Sequence, residues 1–140
     1  SIVKYTTIST IGKNAFLDKA IQMYLEVGTE ESLTKIYKIV EHNNYSNEKK
    51  AEIYYSLGNK YFSQKDYNKA LIEYKASIKL NPKFLDPYIK VSSTYLALGQ
   101  SDKAELYKGQ AATLLDKPLP DLLDTEIHEQ EEFMDLLGNI

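Results

Sequence analysis

A self-similar stretch from Ala51 to Leu115 constrains this chain more than any other feature, because it can be laid on itself with a shift of 34 residues. Tyr54, Leu57, Gly58, Tyr61, Tyr67, Ala70, Tyr74 and Ser77, followed by Asn81-Pro82, are answered by Tyr88, Val91, Ser92, Tyr95, Ser101, Ala104, Lys108 and Ala111. Apolar and small residues recur within each copy at helical spacing, so each unit reads as two helices joined by a short turn. Such a unit cannot bury its apolar face alone and must stack on a neighbour.

Gly58 falls inside a helical pattern, where glycine costs roughly 1 kcal/mol relative to alanine. A compensating close approach of two helices is the expected reason, with Ala70 and Ala104 as small residues on the facing helices and Tyr54, Tyr61, Tyr88 and Tyr95 filling the flanks. The second copy keeps the pattern less fully. Ser101 and Lys108 stand at aromatic positions, and no proline closes it.

This order of aromatic, aliphatic, small and aromatic residues, then a turn, alanines and a closing proline, resembles the tetratricopeptide repeat family. The resemblance implies an all-α fold, a right-handed superhelical stack of antiparallel helix hairpins with about seven helices, and a protein-binding function; no catalytic motif stands in the sequence, so no enzymatic activity is expected. Residues 1–14 read as an extended or disordered segment, since Val3, Tyr5, Thr6, Thr7 and Ile8 are β-prone with nothing adjacent to pair with. Residues 15–137 read as the repeat domain. Within it, 15–47 is a degenerate repeat whose first helix carries Phe16, Leu17, Ala20, Ile21, Tyr24 and Val27 on its apolar face, with Asn14 as N-cap and Gly28 at the C-terminal left-handed position. Thr29 caps the second helix, with Leu33, Ile36, Tyr37 and Val40 apolar. The clear repeats are 48–82 and 83–116, with Asp66 as N-cap of one helix and Asp86 as N-cap of another, Pro87 taking its first helical position. After Asp116-Lys117-Pro118-Leu119-Pro120, residues 120–137 read as a C-terminal capping helix.

In such stacks the first helix of each hairpin lines the concave side. The expected peptide-binding groove is therefore Tyr55, Ser56, Asn59 and Phe62, with Ser63, from the first clear repeat, and Ile89, Lys90, Ser93 and Ala97, with Leu96, from the second. Asn59 offers a donor and an acceptor on one amide, and both Asn59 and Lys90 are expected to contact ligand without contributing to folding. Packing of Tyr55 and Phe62 against the neighbouring hairpin is the alternative for those two. Family members that hold a C-terminal carboxylate use two lysines, two asparagines and an arginine; here Asn59 matches, while Tyr55, Lys90, Pro120 and Asp124 occupy the other places. That subtype is not supported.

Charge excludes other classes. Residues 1–119 hold 17 lysines against 13 acidic residues, whereas 120–140 hold seven carboxylates and no base. Scattered lysines, no arginine and an acidic end do not describe a nucleic-acid binder. No cofactor or metal is expected: there is no cysteine, His42 and His128 lie far apart, and no glycine spacing cradles a phosphate. Asn44-Tyr45-Ser46 fits a glycosylation sequon and is read as surface loop. No apolar run is long enough for a transmembrane helix, and Ser1, in the absence of an initiator Met, reads as a processed or cut end.

The functional expectation is a scaffold or adaptor that binds a peptide or helix of a partner protein in the groove. The alternative is a self-assembling structural module. In that reading Phe133, Met134, Leu136 and Leu137, an apolar cluster beyond the polar run His128 to Glu132, insert into the groove of a second copy to give a homodimer.

Overall fold

The structure is a computed structural model that describes the backbone of residues 2–116 and the side chains of 12–116. Among the described residues there are six helices and no strand: α1 (Ile2–Val27), α2 (Glu30–His42), α3 (Asn47–Ser63), α4 (Tyr67–Leu80), α5 (Asp86–Ala97) and α6 (Ser101–Leu115). The expected all-α architecture of helix hairpins is present. The expected helix over 120–137 lies outside the described residues, as do Phe133, Met134, Leu136 and Leu137. Two compact units are distinguished, the first ending at Ser46 and the second beginning at Asn47.

In the first unit α1 packs on α2. Thr29 caps α2 by accepting from the Ser32 amide at 3.1 Å, and the Ser32 hydroxyl reaches back to the Tyr24 carbonyl at 2.9 Å, which ties the two helices together. Gly28 takes the left-handed conformation (φ 67°) that ends α1. Two expectations fail here. Residues 2–14 are helical, so the chain does not run extended before Ala15 and Asn14 caps nothing. Once a helix exists, each added residue gains a backbone hydrogen bond, whereas β-prone side chains without a partner strand gain none. The second failure concerns the apolar face. Ile21 is buried with Leu17, Ala20 and Tyr24 half-buried, but Phe16 is 72% exposed and Val27 63%. Sequence periodicity could not separate the two because α1 carries apolar stripes on adjacent faces.

In the second unit each helix packs on the next: α3 on α4, α4 on α5, α5 on α6. Leu57, Tyr74 and Val91 are fully buried at its centre, and burial of an aliphatic side chain of that size stabilises by about 1.5–3 kcal/mol. Tyr88 and Ala111 hold a further cluster with Ile78, Leu85 and Tyr107. Gly58 meets α4 so closely that a Cβ there would lie 2.6 Å from ring carbons of Tyr74. The close approach is thus to an aromatic ring. Polar ties reinforce the hairpins: the Ser77 hydroxyl donates to the Ala51 carbonyl at 2.6 Å, and the Ser92 hydroxyl to the Ala104 carbonyl at 2.9 Å. Between the hairpins Asn81 caps α4, accepts from the Lys83 amide at 3.3 Å, and precedes Pro82, whose carbonyl accepts from the Tyr88 hydroxyl at 2.8 Å. Asp66 caps α4 at its start, whereas α5 begins at Asp86 itself, with Leu85 before it and no side-chain cap.

Candidate peptide-binding face

The residues expected to bind ligand lie on α3 and α5, and the structure joins some of them. The Lys90 ammonium sits 5.0 Å from the centre of the Phe62 ring, so the end of α3 and the second turn of α5 meet through a cation and an aromatic face. Phe62 also makes an edge-on contact with Tyr67 at 5.3 Å. Both Phe62 and Lys90 remain half-exposed, and among the described residues Lys90 makes no ion pair.

Asn59 is differently placed from its expectation. Its Oδ1 accepts the hydroxyl of Tyr74 at 2.6 Å, and Tyr74 is fully buried. The amide therefore serves the fold through its oxygen, while its NH2 remains to meet a ligand. The expectation that Asn59 has no part in folding is corrected, because a buried phenol that loses its acceptor carries a desolvation cost. Tyr55 packs at 5.8 Å from the Tyr74 ring and 5.2 Å from that of Phe84, half-buried between α4 and the turn that follows it. Ile89 is drawn toward the Tyr88–Ala111 cluster. Ser56 and Ser93 donate to the carbonyls of Glu52 and Ile89, each at 3.1 Å, and keep acceptor lone pairs for other use. Ser63, Leu96 and Ala97 are exposed.

Sequence spacing missed a second cation on aromatic rings. Lys75 of α4 donates to the Tyr95 hydroxyl and lies 5.1 Å from the Tyr95 ring centre and 5.9 Å from that of Tyr107, with Lys103 at 5.7 Å from Tyr95. It joins three helices and had no signal beyond a lysine on a helical surface. Among the described residues no group of three or more His, Cys, Asp or Glu side chains gathers as a metal site. No described helix is long and apolar enough to cross a membrane.

Comparison with solved structures finds a likeness to one described as the crystal structure of MamA, with 24% identity, 75% of this chain and 72% of that chain covered, and a TM-score of 0.47. No curated protein matches the chain. The tetratricopeptide repeat family model matches residues 51–84, which cover α3 from its second turn, all of α4 and the turn at Asn81-Pro82. Repeats of this family generally mediate protein–protein interaction and scaffolding. Residues 51–84 thus match a tetratricopeptide repeat, within an all-α fold of helix hairpins.

Proposed function

We propose that the chain is a protein-interaction module that holds a peptide or helix of a partner protein along the face that α3 and α5 share, in a scaffold or adaptor role. The observation that carries this reading is the Lys90 ammonium held over Phe62, a half-exposed cation that meets no carboxylate among the described residues. An aromatic face restrains such a side chain, so less rotamer entropy is lost when a ligand carboxylate arrives. Exposed Leu96 and Ala97 supply apolar area beside it, and the NH2 of Asn59 supplies a donor for a peptide carbonyl.

The fitting ligand is an acidic segment with apolar residues flanking the acid. Selection of random peptides displayed on phage against the full chain tests this. Enrichment of acidic-apolar sequences, with binding lost in Lys90→Glu and weakened in Phe62→Ala, supports the reading. Peptides that bind both variants as well as the parent, or no enrichment at all, sink it.

A further inference from the structure

The exposed apolar residues of α1 have a spacing of their own. Phe16, Ala20, Met23 and Val27 follow one another at intervals of four, three and four, the a/d pattern of a helix that packs along a second helix. None of the four is buried: Phe16, Met23 and Val27 are more than half exposed and Ala20 is partly so. A recess of about 470 Å³ opens on this face, lined by Phe16, Lys19, Ala20, Met23 and Tyr24. Four of these, Phe16, Lys19, Ala20 and Met23, are two d positions, the g between them and an a, the set that forms a hole in knobs-into-holes packing. The hole is shallowest in side chain at Ala20 and open to solvent.

We infer that this face of α1 pairs with the same face of a second copy of the chain, antiparallel, about a two-fold axis between Ala20 and Met23. Complementarity within the stripe selects both the occupant and the direction. In the antiparallel register Ala20 meets Met23 of the other copy and Phe16 meets Val27, so small opposes large in each layer and Met23 is the knob that enters the partner's recess. A parallel pair would set Ala20 on Ala20 and Phe16 on Phe16, which leaves a void in one layer and crowds the other. Charge agrees. The antiparallel register brings Lys19 beside Glu26 of the other copy, and symmetry repeats the contact on the far edge. Lys19 and Glu26 are both exposed and make no ion pair with each other or with other described residues. A parallel pair would set Lys19 near Tyr24 and leave Glu26 without a lysine.

Light scattering of the full chain over a wide concentration range tests this, with circular dichroism as a check on helix content. The parent mass should rise from one chain toward two. Met23→Glu should hold it at one chain, since it puts a carboxylate into the recess. Lys19→Glu, which opposes Glu26, should raise the dissociation constant severalfold, and adding Glu26→Lys should restore it. All three sites are exposed, so helix content should not change. A parent that stays a monomer throughout, a dimer indifferent to Met23→Glu, or a charge exchange without restoration would each overturn the antiparallel pairing.

Discussion

Gly58 and Tyr74 form one contact across the α3–α4 seam: the ring carbons of Tyr74 come within 2.6 Å of where a Cβ on residue 58 would be. The glycine is there because the ring is there. The second hairpin shows the converse at the positions 34 residues on, where Ser92 replaces Gly58 and Lys108 replaces Tyr74. Without a ring to admit, Ser92 has room for a side chain and uses it to bond the Ala104 carbonyl.

It follows that the cost of a side chain at 58 depends on residue 74. Gly58→Ala should destabilise by about 1–3 kcal/mol through overpacking, even though alanine is the better helix former. In a Tyr74→Leu background the same change should cost clearly less. A double-mutant cycle by urea denaturation measures the coupling; additive costs would show that the ring and the glycine do not compete for space.

Asn59 and Lys90 are separable, although both lie on the proposed binding face. Asn59→Ala leaves the Tyr74 hydroxyl without its acceptor and should cost about 1–3 kcal/mol. Lys90→Ala removes a half-exposed cation and should stay within about 1 kcal/mol of the parent. Thermal melts of the two single variants decide it. Equal melting temperatures would mean that the Tyr74 hydroxyl finds another acceptor.

Lys65 is held at φ 63°, the left-handed conformation, in the turn between α3 and α4. The corresponding residue of the next hairpin is Gly99, at φ 74°, and both turns close with the same bond, Asp66 N–H to the Tyr61 carbonyl at 2.9 Å and Gln100 N–H to the Tyr95 carbonyl at 2.8 Å. A side chain in this conformation costs roughly 1–2 kcal/mol. Lys65→Gly should therefore raise stability by about 0.5–1 kcal/mol after glycine's greater chain entropy is subtracted. Chemical denaturation of that variant gives the answer, and a lower midpoint would show the lysine side chain to be worth more than the strain.

Local chemistry is legible in the chain, and contacts between helices are not. Period, capping and turn chemistry are local, and Thr29, Asp66, Gly28, Gly99 and Asn81-Pro82 all act where their residue types direct them. What spacing could not convey is which of two apolar stripes faces inward, as on α1, where Leu17, Ile21 and Tyr24 compete with Phe16, Met23 and Val27 for the same packing surface. Nor could it convey pairings between side chains on different helices. Asn59 and Tyr74, or Lys75 and Tyr95, meet because backbone geometry brings them together, and neither residue type announces its partner. The expected ligand residues suffered for this reason: their positions on α3 and α5 follow from helical period, but the use of the Asn59 oxygen within the fold does not.

Alkaline pH should expose the tyrosine core selectively. Burial pushes the Tyr74 hydroxyl well above the usual 10.0, with the nearby Tyr55 phenol adding to it. Burial likewise raises Tyr88, aided by Tyr107, and Tyr54, aided by the carboxylate of Glu73. In each case the folded state holds a proton that the unfolded chain releases near pH 10. The contribution of these groups is thus fully present below that pH and is lost as pH rises through the higher folded values. Of the twelve tyrosines, the exposed ones should ionise first, and a late fraction should ionise only together with loss of helix. Ultraviolet absorbance of tyrosinate, followed beside circular dichroism through an alkaline titration, separates the two fractions. Tyr74→Phe should shrink the late fraction and flatten the fall of stability above pH 10, although its stability at neutral pH is lower for want of the bond to Asn59. If all twelve ionise in one step near pH 10 while the helices remain intact, Tyr74 is open to water and its burial in the α3–α4 seam is refuted.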